Sequence, residues 1–393
     1  MTNTDQGWLC CQLGAREHYA IPRALKQKGL LHELITDLWI RPRSMLRSLR
    51  SGLAGRFHPS LSSAPVTAMN LGALTFELGA MGASGWRLIT KRNDWFQRSV
   101  VNQLTRNHSG ADLTVFAYSY AAEEIFKVAR KRGWRTVLGQ IDPGPAEEAI
   151  VAELTPAGDT FWQPAPPEYW KRWRTECELA DQIIVNSCWS REALLSEGID
   201  GEKIRVIPLA YEPAAEAATF VRSYPEKFTS ERPLRSLFLG QINHRKGAVQ
   251  LLEAVKQIAG EPVEFWFVGP LQVDIPHEVK DKFRWFGVAP RRDVSRYYRD
   301  ADVFILPTFS DGFGLTQLEA QSWKLPVISS RYCGDVVENG FNGLLLENVS
   351  ATAISNVLNQ LLHSPESLHA MSQNSRVDER FSLDSLATSL SSL

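Results

Sequence analysis

Short apolar runs and stretches of helical periodicity alternate along almost the whole of this 393-residue chain. Residues 8–13, 113–118, 136–141 and 182–186 are apolar runs of strand length, the pattern of parallel strands buried on both faces. Residues 237–239 and 302–307 repeat it in the second half. After 237–239, Leu251, Leu252, Val255 and Ile258 fall at helical spacing, and the apolar residues after Gly314 do the same. Strand, loop and helix in repeated order predict doubly wound α/β units. The stretch from Pro208 to Pro213 and the polar stretch 223–233 interrupt this alternation and read as a linker. The expected architecture is α/β, with two Rossmann-like units facing a central cleft: residues 1–208, then 209–375, with 376–393 as a terminal segment. The site belongs where the carboxyl ends of the strands of both units meet.

The loop after 302–307 carries the most specific chemistry. It reads Ser310-Asp311-Gly312-Phe313-Gly314-Leu315-Thr316-Gln317-Leu318-Glu319. At a helix start the N–H groups of Phe313, Gly314 and Leu315 lack intrahelical partners and lie at the positive end of the dipole, which suits a diphosphate. Gly312 and Gly314 allow the backbone close to an anion. Asp311 lies in the loop and Glu319 one turn beyond Leu315, so both acids are expected at the same mouth. The loop after 237–239, from Gly240 to Gly247, supplies the opposite charge as Arg245 and Lys246. Two cations at the positive end of a helix are locally unfavourable, and the placement makes sense beside a bound anion. Arg grips phosphate with a planar fork and Lys acts as a point charge, so the pair would offset the charge of a departing nucleoside diphosphate.

With these motifs in this order, the chain resembles the retaining, nucleotide-sugar-dependent glycosyltransferases of the GT-B fold, family 4 or group 1. The resemblance rests on Phe238-Leu239-Gly240 with Arg245-Lys246-Gly247, on Phe267-Val268-Gly269 and on Phe286-Gly287-Val288. It continues through 298–307, 311–319, Pro326-Val327-Ile328 and 337–345. Before the linker, residues 180–187, Ser190-Arg191-Glu192 and 203–208 fit as well, and Gly14 matches the family's first glycine loop. The resemblance implies that Arg245 and Lys246 hold the donor diphosphate, that Glu319 bonds the ribose, and that Asp311 bonds hydroxyls of the donor sugar. It places the amides of Phe313, Gly314 and Leu315 on phosphate or sugar and Phe286 near the base, and it adds Gly14 and Gly240 to the donor-binding set. Asp311, Arg245 and Lys246 would form the catalytic group. It further implies that the final segment crosses back to the first unit, and that no metal or other cofactor is needed, with Arg245, Lys246 and the helix amides serving in place of Mg²⁺.

Three positions depart from the family pattern. Asp311 stands where Glu is usual, withdrawing the carboxylate by about 1.5 Å. Lys324 stands where Gly is common, which at positive φ costs about 1 kcal/mol of stability. The region 137–144 holds no His where many relatives place one near the reacting sugar. Asp142 or Gln140 occupies that space or, as Asp before Pro, Asp142 initiates a turn.

Composition agrees with two ordinary domains, since 44% of residues are hydrophobic. Five cysteines without metal spacing point to a reducing cytoplasm. No signal-peptide pattern and no membrane-spanning run is expected. Net charge is −1, yet the first 110 residues carry fourteen Lys/Arg against six Asp/Glu. Arg41, Arg43, Arg47, Arg50 and Arg56 cluster there without an acid, and 86–98 mixes Trp and Phe with Lys and Arg. These segments read either as solvated basic helix faces or as peripheral contact with the inner membrane face. Nucleic acid is not an expected partner. Phe161, Trp162, Tyr169, Trp170 and Trp173 read either as core or as sugar-stacking rings. Asp300-Ala301-Asp302 matches a metal-binding pattern formally, but its position where a helix enters a strand makes it structural.

The expected activity is hexose transfer from a nucleoside-diphosphate sugar to a hydroxyl of a sugar or lipid-linked sugar acceptor, with retention, in polysaccharide or glycolipid assembly. Two alternatives share the donor pocket: a GT-B nucleotide-sugar epimerase, and a degenerate nucleotide-sugar-binding protein.

Overall fold

In a computed structural model of the protein, which describes residues 7–42, 44, 53, 55–107, 112–280 and 282–393, the apolar runs form two all-parallel sheets. The first contains β1 (Gly7–Gln12), β2 (Leu31–Thr36), β3 (Val66–Ala68), β4 (Leu113–Tyr118), β5 (Arg135–Gly139), β6 (Gln182–Val185) and β7 (Ile204–Val206), in the order 3-2-1-4-5-6-7. The second contains β8 (Leu234–Leu239), β9 (Val263–Val268), β10 (Phe283–Trp285), β11 (Val303–Leu306), β12 (Val327–Ser329) and β13 (Gly343–Leu345), in the order 10-9-8-11-12-13. Each order reverses once, between β1 and β4 and between β8 and β11. Such switch points open a crevice at the strands' carboxyl ends, so the fold itself sets the cation loop after β8 beside the glycine loop after β11.

Both faces of each sheet are covered by helices, which explains why the strands read as continuous apolar runs. Leu9, Cys11, Val115 and Ala117 pack on one face of the first sheet, and Trp8, Cys10, Phe116 and Tyr118 on the other. In the second sheet Phe238, Phe265 and Ile305 face one core, and Leu237, Trp266 and Phe304 face another. The architecture is therefore the two Rossmann-like units expected.

The ends of the chain's path bind the units together. The helix Leu383–Ser391, capped by the Ser382 side chain, buries Leu386, Ala387 and Leu390 against Ala20, Ile21 and Ala24 of the first unit. Just before it, Phe381 packs edge-on against Phe313, with centroids 5.8 Å apart, and its carbonyl accepts from Tyr211 N–H at 2.9 Å. The crossing segment thus buttresses the glycine loop from behind. Between the two linker stretches, buried Arg222 donates to the carbonyls of Tyr298, Arg299, Ala301, Trp323 and Lys324. Lys324 does adopt positive φ, +57°, just after the helix Thr316–Ser322.

Among the described residues no helix is long and apolar enough to cross a membrane. Arg43, Arg47 and Arg50 of the basic cluster lie outside the described residues. Of the other two, Arg41 is exposed and Arg56 pairs with Asp37 at 2.9 Å.

Candidate functional site

The two loops that the switch point sets side by side are joined by backbone. Phe309 N–H donates to the Arg245 carbonyl at 2.8 Å and Thr308 Oγ1 to the same oxygen at 3.1 Å. Gly247 makes this approach sterically feasible: it sits at φ +71°, and a Cβ there would lie 2.0 Å from the Pro307 carbonyl oxygen. The side chains then converge. Arg245 Nη1 donates to the Ser310 carbonyl at 2.7 Å and lies 3.9 Å from Asp311 Oδ1, while Lys246 Nζ pairs with Asp311 Oδ2. Both cations, Asp311 and Gly314, Leu315 and Thr316 at the helix tip line one cavity of about 390 Å³, which Gly240 also borders. The helix start has no side-chain cap, so its N–H groups are available to a ligand.

Burial alone would raise the Asp311 carboxyl. The charges of Lys246 and Arg245, with hydrogen bonds from Lys246 and from the Phe313 N–H, overcome this and hold it below its ordinary value. Asp311 thus neutralises the cation pair, and the Phe313 amide is turned onto it.

The first unit contributes groups that the sequence reading did not single out. Glu147, in the first turn of the helix Pro145–Leu154, reaches across to Ser310 Oγ at 2.8 Å and Arg245 Nη1 at 3.3 Å. Its only local signal was an acid after Pro at a helix start, which the dipole alone explains. Burial pushes its carboxyl from 4.5 up to about 7 against the pull of Arg245, with Asp142 and Asp311 adding to the rise. Glu17, which receives the Tyr118 hydroxyl at 3.1 Å, also borders the cavity and is raised by burial. It opens a run of three left-handed residues, Glu17, His18 and Tyr19, the kind of strain stored beside functional sites.

The Glu147 shift has a stability consequence with a definite sign. The folded state holds a proton that the unfolded chain releases between pH 4.5 and about 7, so stability falls as pH rises through that window and levels off above it. In Glu147→Gln this slope is absent. Melting temperatures of the two proteins should diverge in the variant's favour as pH rises across the window; parallel curves would contradict the burial of this acid. Glu176, likewise raised to about 7 by burial, is common to both and cancels.

The remaining candidates divide. Glu319 lies on the helix Thr316–Ser322, but its Oε2 accepts from Tyr298 Oη at 2.7 Å and it does not line the cation cavity. Phe286 stands outside that cavity too, half-exposed, with its ring against Trp266 and Tyr297. Gly14, at φ +83°, donates its N–H to Asp37 at 2.9 Å and borders a different cavity in the first unit. Asp142 acts as a turn residue, accepting from Gly144 N–H at 3.0 Å, and also receives the Tyr120 hydroxyl. Gln140 is buried, bonded to Trp173 Nε1 at 3.0 Å. The aromatic cluster splits: Trp173 is core, whereas Phe161, Trp162, Tyr169 and Trp170 border a cavity of about 340 Å³ between the units that also touches Arg245. Asp302 is structural, since Arg232 holds both its oxygens, at 2.7 and 2.6 Å. Among the described residues no group of three or more His, Cys, Asp or Glu is arranged to hold a metal.

Residues 222–378 match the family described as glycosyl transferases group 1. The amylovoran biosynthesis glycosyltransferase AmsK of Erwinia amylovora is 26% identical over 203 residues, 46% of this chain and 46% of that protein. The capsular polysaccharide biosynthesis glycosyltransferase CapM of Staphylococcus aureus is 27% identical over 158 residues, 37% of this chain and 41% of that one. The chain spans about half the length of the curated relatives it matches. Over the whole fold it is similar to Anabaena HepE in complex with UDP-glucose, with TM-score 0.62, 16% identity and coverage of 99% of this chain and 100% of that one. It is also similar to the sucrose-phosphate synthase of Thermosynechococcus elongatus, with TM-score 0.67, 17% identity and 98% of both chains covered. These likenesses show the fold, the GT-B arrangement.

Proposed function

We propose that this protein is a retaining glycosyltransferase that moves a hexose from a nucleoside-diphosphate sugar to an acceptor hydroxyl in polysaccharide or glycolipid assembly. One observation carries the reading: Arg245, Lys246 and the uncapped helix tip at Gly314–Thr316 border a single cavity between two Rossmann-like units. A diphosphate entering it would displace Asp311 from Lys246 and take over the cations, whose charge would stabilise the leaving group without a metal. Asp311, released, would be free to accept from hydroxyls of the donor sugar, and Glu319 would turn from Tyr298 to the ribose. Gly14 and Gly240 would flank the donor, and Phe286 would approach the base. The match of residues 222–378 to group 1 glycosyl transferases supports the donor half of this reading. Retention follows from the resemblance to that family.

Solved structures of similar fold hold UDP and UDP-glucose, which makes uridine the first base to test. A thermal-shift screen with UDP, GDP, ADP and their sugars should give one nucleoside diphosphate that stabilises the protein by about 2.7 kcal/mol at a hundredfold excess over Kd. The shift should survive EDTA. No shift with any of the three would contradict the reading, and conversion of a donor sugar without acceptor would point to an epimerase.

A further inference from the structure

The first unit contains a cavity of about 1160 Å³, far larger than the one that holds the cations. It lies beneath the helices Asn70–Gly79 and Gly85–Asn107, and its volume exceeds that of ordinary small-molecule sites. Its wall is mostly apolar, with Leu13, Leu38, Ala73, Phe76, Leu88 and Phe96 among its side chains. Most of the charged and amide groups on its wall are already engaged within the first unit. Arg56 holds Asp37 at 2.9 Å, Arg92 holds Glu77 at 2.7 Å, and the Asn70 amide bonds the Trp39 backbone at 2.9 and 3.3 Å. Away from Arg16 a sugar or nucleotide would find few free hydrogen-bond partners here, whereas a hydrocarbon would leave these pairs undisturbed.

The rim and the location narrow the occupant further. Leu74, Leu78, Met81 and Ile89 border the cavity with 41, 69, 79 and 41% of their surfaces exposed. A contiguous apolar surface of this kind marks a binding groove rather than scattered surface residues. Arg16 and Ile141 border both this cavity and the cation cavity, so the two spaces adjoin. Where they meet, Arg16 lies over the Tyr118 ring, 5.6 Å from its centroid. A molecule seated in the large cavity therefore ends beside the place where a donor sugar would react.

Building on the proposed transferase activity, we infer that the acceptor is an amphiphile. A lipid-type hydrocarbon chain lies in the large cavity of the first unit, and its hydroxyl-bearing polar head sits at Arg16, facing the donor cavity. The glycan and the chain belong to one molecule, and the chain fixes the head.

The test uses alkyl β-D-glucopyranosides with methyl, octyl, decyl and dodecyl chains, below their micelle-forming concentrations, with binding measured by calorimetry on the full chain. Affinity should rise about threefold to fourfold per added methylene. Leu74→Trp, which narrows the cavity at its rim, and Leu74→Asp, which makes that rim polar, should each flatten that dependence and weaken dodecyl glucoside at least tenfold. Both variants should keep the wild-type melting shift with nucleoside diphosphate. Equal binding of methyl and dodecyl glucosides would overturn the inference. So would an unchanged chain-length dependence in both variants; if phosphatidylglycerol vesicles then bind the protein, the rim is a bilayer-docking face instead. A chain-length dependence that the variants abolish, in a protein with no nucleotide shift, would overturn the donor reading and the term acceptor while leaving a chain site.

Discussion

Lys246→Ala should lower kcat/KM for glycosyl transfer by about 10² to 10³, the loss typical when one preorganised group facing developing charge is removed. The ammonium is a compact charge held by Asp311 at the edge of the cation cavity, so its removal strips one of two cations from the leaving diphosphate. Some stability is lost as well, because buried Asp311 gives up its closest cation and keeps only Arg245, 3.9 Å away, as counter-charge. Lys246→Arg should rescue only partly, since a planar fork does not reproduce a point charge. Steady-state kinetics alongside a melting curve separate the two effects. Near-normal transfer by Lys246→Ala would remove Lys246 from the mechanism.

Gly312→Ala should reduce kcat at least tenfold while leaving the nucleoside diphosphate dissociation constant within about threefold, because a displacement near 1 Å at a reacting centre can cost about 10²-fold. A Cβ at Gly312 would lie 2.4 Å from the Ile141 carbonyl oxygen and 3.3 Å from Asp142 Cα. These are backbone atoms of the opposite unit, so the methyl can be accommodated only if the units move apart. The Gly312 carbonyl also accepts from Ser190 Oγ at 3.3 Å, a second bond across the same junction. Donor binding rests on residues of the second unit and should persist. A kcat equal to wild type would mean that this close approach is not needed for transfer.

What could be read before folding was what the chain encodes locally. The strands at 113–118 and 182–186, the cation loop and the helix tip each carry their signal within a few residues, and the doubly wound order that joins Arg245 to Asp311 follows from the alternation. By contrast β2, Leu-His-Glu-Leu-Ile-Thr, alternates too loosely to separate strand from helix, and β3 has only three residues. Glu147 was illegible for a different reason. It meets Arg245 across 98 positions of sequence, and nothing in its own neighbourhood distinguishes it from a helix-starting acid. The expected position of Glu319 assumed that a residue one turn beyond Leu315 faces the mouth, and that of Gly14 came from the family resemblance, whereas in the structure Tyr298 bonds Glu319 and Asp37 bonds the Gly14 N–H. The apolar cavity could not have been found from sequence, because its walls come from separate strands and helices whose apolar residues look like core until the packing leaves a gap.

The most direct measurement is a structure of the protein with its nucleoside diphosphate. Both phosphates should lie within hydrogen-bonding distance of Arg245, Lys246 and the N–H groups of Gly314 to Thr316, with Asp311 released from Lys246. A diphosphate bound elsewhere while Lys246 still grips Asp311 would contradict this reading.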